Sequence, residues 1–129
     1  MRSANSTRLL IWGALLFGAG ADAQERKAEV RLLVQSSPLA GLRYYAAPEV
    51  AQALRVGDGL ELVRERDNPH DANAIAVIWR ARKLGYLPRR DNATLAWGLD
   101  RGERLHARIG RLAPPPRPAR RVEVEVYIE

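Results

Sequence analysis

Leu60 to Trp79 reads LELVRERDNPHDANAIAVIW, and this one stretch carries two strands and the turn between them. From Leu60 to Arg66, Leu60 and Leu62 fall on one face and Glu61 and Val63 on the other, which is the period of a half-buried strand. Asp67 to Asn73 (DNPHDAN) is dense in turn formers, because Asn and Asp side chains bond their own backbone and Pro69 fixes φ. Ala74 to Trp79 (AIAVIW) is apolar without interruption, as suits a central strand covered on both sides.

Outward from this pair the chain continues in short elements. Arg80 to Lys83 makes a basic turn, and Leu84 to Leu87 returns as a strand before Pro88. Asp91 is placed to cap a helix over Asn92 to Leu99, its carboxylate accepting from the unpaired first-turn amides. Leu95, Ala96 and Leu99 form the apolar stripe of that helix, and Gly102 lies beyond its end. Leu105 to Leu112 reads as a strand with Arg108 and Arg111 exposed. Pro114 to Pro118 (PPPRP) cannot pair inside a sheet and reads as an extended linker. Val122 to Ile128 (VEVEVYI) alternates strictly, with Val122, Val124, Val126 and Ile128 on one face.

Upstream, Gly57-Asp58-Gly59 marks a boundary, and Pro48 opens a short helix through Leu54. A loop with Pro38 and Gly41 ends in Arg43-Tyr44-Tyr45. The two tyrosines, taken as neighbours on a strand, are expected to point one into the core and one into a groove. Glu29 to Gln35 (EVRLLVQ) reads as the first strand. The sum is mainly β, about six short strands with two short helices. It fits a small, OB-like or SH3-like, partly closed barrel.

The chain begins differently. Arg2 and Arg8 precede an uncharged run from Leu9 to Ala21, and Ala21-Asp22-Ala23 follows. A positive front, an apolar middle and a small-x-small end form a secretory signal pattern. The run is shorter than the roughly 20 residues that span a bilayer. Residues 1–23 are therefore expected to be a signal peptide, cleaved after Ala23, with the rest exported to the periplasm or secreted. Residues 24–129 are expected to form one domain, with a core at 29–112, a proline-rich linker at 113–119 and a C-terminal strand at 120–129.

Lys and Arg number 21 against 15 Asp and Glu, a net charge of +6, which falls to +5 without the signal segment. Nearly all of the positive charge is arginine, whose planar fork pairs with phosphate in a bidentate way. Such a surface permits contact with nucleic acid or an anionic membrane. The chain has no cysteine, which excludes disulfides, thiol catalysis and thiolate metal sites. His70 and His106 are its two histidines, without ligand-like spacing. No metal and no cofactor are expected.

Three runs, GLRYY (41–45), GDGLELVRERDNPHDANAIAVIW (57–79) and KLGYLPRRDNATLAWGLDRGE (83–103), together resemble the HIRAN domain family. That module stands at the N-terminus of some SNF2-type remodelling helicases and also occurs alone in bacteria. Its pattern is a strand ending in L-x-R-E, then N-P-x-D-x-N-A-I-x-V, then a G-Y-L-P-R-like run and a helix rich in alanine and leucine. His70 departs from it, standing where the family often has tyrosine or phenylalanine. Arg80 to Lys83 replaces a more usual polar or glycine-containing turn.

The resemblance implies an oligonucleotide-binding-like barrel that captures the 3′ end of single-stranded DNA. It implies that Arg43, Tyr44 and Tyr45 line the pocket, that His70 stacks on the terminal base, and that Asp71 accepts from the 3′-hydroxyl. Arg89, with Arg90, would contact phosphate. The residue chemistry agrees in part: single-strand sites need flat faces for bases and cations for the backbone. An ionised carboxylate accepts hydrogen bonds and repels a terminal phosphate. Asn68 and Asn73 read more simply as turn residues, and Asp71 fits either role.

Against this nucleic-acid-binding reading stands a second: an exported module for protein or envelope contacts that keeps the fold and has lost end recognition. A sheet edge such as Val122 to Ile128 would then add to a partner's strands. Catalysis is not expected, since the chain has no GxxxxGK[ST] run and no GxSxG elbow, and the ATPase and zinc chemistry of larger relatives belongs to other segments.

Overall fold

The alternating and apolar runs assemble into a six-stranded antiparallel sheet in the order β1-β6-β5-β2-β3-β4. The computed structural model describes residues 30–113 and 121–129; the expected signal segment and the Pro114 to Pro118 run lie outside them. The strands are β1 (Leu32–Pro38), β2 (Gly59–Glu65), β3 (Ala74–Trp79), β4 (Arg82–Tyr86), β5 (Leu105–Leu112) and β6 (Val122–Ile128). Three short helices accompany them: α1 (Leu42–Tyr45), α2 (Pro48–Ala53) and α3 (Ala93–Asp100), the last preceded by a 3-10 turn at Arg89–Asp91.

The two strands read first behave as their patterns require. β2 keeps Leu60 and Leu62 half-buried while Glu61 and Val63 are exposed. β3, flanked by β2 and β4, buries Ala74, Ile75, Ala76, Val77 and Trp79. Each fully buried aliphatic side chain stabilises the fold by about 1.5–3 kcal/mol through surface removed from water. Ile75, Val77, Leu84, Ile109, Val124 and Val126 supply the fully buried centre, and Leu95 and Ala96 bring the apolar stripe of α3 onto it.

The sheet curls but stays open. Its outer strands are β1 and β4, and a single bridge just beyond β1 draws them together: Ala40 N donates to Tyr86 O and Tyr86 N to Ala40 O, both at 2.9 Å. Gly85 makes that approach feasible, because a Cβ there would collide with the Ala40 carbonyl oxygen. This is a partly closed barrel.

Several expectations need correcting. Arg43-Tyr44-Tyr45 lies on helix α1, not on a strand, so there are three helices among the described residues. Both tyrosines are exposed, Tyr44 by 74% and Tyr45 by 49%, and neither is core. The first strand runs from Leu32 to Pro38, displaced C-terminally from Glu29–Gln35. The β3–β4 turn is confined to Arg80 and Ala81, with Arg82 and Lys83 already in β4. Asn92, not Asp91, occupies the N-cap of α3, and its side chain makes no capping bond because another partner holds it. Val122–Ile128 is not an edge, since β6 pairs with both β1 and β5.

Candidate functional site

The turn between β2 and β3 is tied up by its own Asx side chains. Asn68 Oδ1 accepts from the backbone N–H groups of His70 (2.9 Å) and Asp71 (3.2 Å), and its Nδ2 donates to Glu65 Oε1 at 3.1 Å. Asp71 Oδ1 accepts from Asn73 N at 2.9 Å. These bonds fix the turn and leave the His70 ring exposed.

Two further contacts fasten the turn to α3. Buried Asn92 donates from Nδ2 to Asp71 Oδ2 at 2.7 Å. Arg64 donates to the carbonyls of Ala74 (2.8 Å) and Ala72 (3.1 Å) and pairs with Asp100 at 3.0 Å. Burial works against the Asp71 charge, but Asn92, the Asn73 N–H and the fields of Arg89 and Arg64 outweigh it. They hold the carboxyl below its ordinary value.

Beside the turn, β4 supplies a second cluster. Lys83 Nζ donates to Glu65 Oε2 at 2.6 Å and to Tyr86 Oη at 2.9 Å, and Tyr86 Oη donates to Glu65 Oε1 at 2.7 Å. The Lys83 hydrogen bond leads in holding Glu65 below the usual carboxylate range, and the Glu65 hydrogen bond leads in raising Lys83. On Tyr86 the Lys83 bond pulls downward, yet burial and the Glu65 carboxylate together push the phenol up.

The Tyr45 ring stands edge-on to Tyr86, with centroids 5.3 Å apart at 74°, and Lys83 Nζ lies 5.7 Å from the Tyr45 centroid. Tyr44 is held by its neighbour instead: Arg43 Nη2 donates to Tyr44 Oη at 2.7 Å.

The expected site residues therefore fall into groups. Tyr45 joins Tyr86 and Lys83, and through Glu65 and Asn68 this platform runs into the turn that carries His70 and Asp71. Arg89 is exposed, and its charge bears on Asp71. Arg43 and Tyr44 pair with each other on the exposed side of α1. Arg90 departs from the group and lines a different opening, with Asp91 and β1.

Sequence reasoning missed Lys83, Tyr86, Glu65 and Asn92. Lys83 and Tyr86, three apart, would face opposite sides of a regular strand. A register shift pairs Gly85 with Val77 but Lys83 with Ile78, leaving Leu84 extra, and brings both side chains to one side. A glycine inside the strand pattern of KLGY was the available signal for a bulge. Among the described residues, no three His, Asp or Glu side chains group as a metal site.

The HIRAN domain family model matches residues 32–129. A crystal structure of a protein from Lactobacillus plantarum is 28% identical, covers 77% of this chain and 95% of its own, and superposes with a TM-score of 0.65. The HIRAN domain of human HLTF is 22% identical over 76% of this chain and 78% of its own, with a TM-score of 0.58, a likeness of fold. No curated protein matches the chain.

Proposed function

The chain belongs to the HIRAN domain family, which supports a nucleic-acid-binding module, and on that premise we propose that it captures single-stranded DNA at a free 3′-hydroxyl end, without catalysis. The observation that carries this reading is the run of side chains from exposed Tyr45, past half-buried Tyr86 and Lys83, to half-buried Asp71 in the turn that also exposes His70, with exposed Arg89 bearing on Asp71. The half-exposed Tyr45 ring offers a face for a base, and stacking of this kind contributes about 1–3 kcal/mol per base. Arg89 offers a phosphate contact beside Asp71.

Asp71 is the end reader in this scheme. Each of its oxygens already accepts one hydrogen bond and keeps a second lone pair for a sugar hydroxyl. A 3′-phosphate would bring negative charge against that carboxylate. The Met1 to Ala23 pattern supports export of the module, so the DNA it meets would be outside the cytoplasm.

Fluorescence anisotropy of the full chain with a short oligonucleotide, bearing a free or phosphorylated 3′ end, tests the reading across a salt series. Binding should prefer the free end by about tenfold or more, the worth of a hydrogen bond to a charged acceptor. It should weaken as salt rises, and Asp71→Ala should erase the preference. Equal affinity for both ends in the wild type would reject end capture.

One observation favours an interaction module for envelope partners. Edge strand β1 exposes Leu32, Leu33 and Val34, with Val30 just ahead of it. Strand addition would use β1, since β6 is covered on both sides. No DNA binding at any salt concentration would bring this reading forward.

A further inference from the structure

The two outer strands of the sheet are protected unequally. β4 is short, carries Arg82 and Lys83, and ends in the bridge to Ala40 that closes the barrel seam. Shortness, charge and cover are the usual devices that keep a strand edge from pairing with another chain. The start of β1 has none of them. β1 is uncharged from Leu32 to Pro38 and pairs with β6 on one side only. Val30 is 79% exposed, Leu32 63%, Leu33 53% and Val34 48%. Exposed apolar side chains gathered in five consecutive positions mark an interaction surface, where scattered ones would not. We propose that this stretch is a dimerisation edge, its occupant the same stretch of a second copy of this chain, paired antiparallel about a two-fold axis at Leu32.

The fold sets the limits of the paired run. The register against β6 shifts between Leu33 and Gln35 and leaves Val34 extra. A bulge of this kind bends its strand and interrupts a ladder. Just past it, Gln35 and Ser36 face Arg90, Asp91 and Thr94 across an opening. A partner strand therefore has Val30 to Val34 to follow, and the centre of that run is Leu32.

Charge selects the partner and the direction. A two-fold sets residue i against j and j against i. Centred on Leu32, it brings Leu32 to Leu32 and Val30 to Val34, while Arg31 opposes Leu33, on which its apolar stem can lie. Parallel pairing in register would instead lay Arg31 beside Arg31, and like charges directly opposite are destabilising. The net charge of +6 repels copies from one another, so an uncharged edge is where two of them can meet. Five residues a side bury less than the roughly 1,200 Å² of a stable interface, which makes the dimer weak and concentration-dependent. Dimerisation at this edge does not depend on DNA capture.

Sedimentation velocity of the full chain from about 1 to 500 µM reads the contact, a range suited to weak interfaces. Wild type should pass from monomer to dimer. Leu32→Lys and Leu32→Glu each place like charges together at the axis and should each weaken dimerisation about tenfold or more. An equimolar mixture of the two variants should restore it, because unlike charges then meet. Thermal melts at low concentration should match wild type, since Leu32 lies at the surface. The chain has no cysteine, so Leu32→Cys gives a second measurement. Opposed Cα atoms of an antiparallel pair lie about 4.5–5.5 Å apart, within the span of a disulfide. Diamide should join Leu32→Cys into a covalent dimer and leave Val56→Cys, an equally exposed position, monomeric. A wild type that stays monomeric at every concentration would overturn the proposal and leave the edge to a foreign strand or to another segment of this chain. Self-association that both charge variants leave intact would overturn it too, as would equal cross-linking of the two cysteine variants.

Discussion

At Asp71 one side chain has to serve both the turn and the ligand. Its oxygens are shared between Asn73 N and Asn92 Nδ2, and the net effect holds the carboxyl below its ordinary 3.8. A depressed carboxyl contributes stability that is present above the unfolded value and lost as pH falls through the folded one. The free-end preference should accordingly stay constant from pH 8 to about pH 5 and fade below about pH 4, where an unperturbed Asp takes up its proton. Asn92→Ala should move the fade upward and cost about 1–3 kcal/mol of stability, since a half-buried carboxylate oxygen loses its partner. Anisotropy at stepped pH and urea unfolding would read the two effects. A preference that declines between pH 8 and pH 6 would assign it to another group. The DNPHDAN run announced the Asx turn, but not Asn92, which arrives from 21 positions away with an ordinary helix-start residue.

Among the elements, the β3–β4 hairpin carries a local conflict. Arg80 (φ 46°) and Ala81 (φ 66°) are both left-handed, as a two-residue type I′ turn demands, yet neither is Gly or Asn. Arg80 has compensation, its guanidinium lying 4.7 Å from the Trp79 ring centroid. Ala81 has none that the contacts reveal. Ala81→Gly should stabilise the domain by about 1 kcal/mol and raise Tm by roughly 4–8 °C, with binding unchanged. A lowered Tm would show that the turn tolerates alanine without strain. The sequence marked a turn here but spread it over four residues, because Arg82 and Lys83 look like turn charges until cross-strand pairing claims them. Helix α1 was illegible for a related reason: four residues, LRYY, cannot display a helical period, and only Gly41 (φ 87°) announces the change of direction.

Across the whole molecule, the strand count was legible, because one buried face writes a period of two into β2 and β6 and burial along its whole length makes β3 an unbroken apolar run. Strand order was not. VEVEVYI reads equally well as an edge or an interior strand, and only pairing with both β1 and β5 makes it interior. Barrel closure depends on a long-range approach as well. Gly85, with φ 154°, lets Ala40 meet Tyr86, and the same meeting sets α1 beside β4, so that Tyr45 reaches the Tyr86 ring. Fold closure and the proposed base platform thus share one contact. Gly85→Ala should cost about 2 kcal/mol or more, through a clash with the Ala40 carbonyl and a backbone angle that alanine resists. DNA affinity should fall further than the small unfolded fraction explains, because the surviving folded molecules would hold Tyr45 out of place. Hydrogen exchange should report opening at Ala40 and Tyr86 while Ile75 and Val77 stay protected. If exchange speeds up evenly through β3, the seam and the core unfold as one unit, and the platform has no separate dependence on closure.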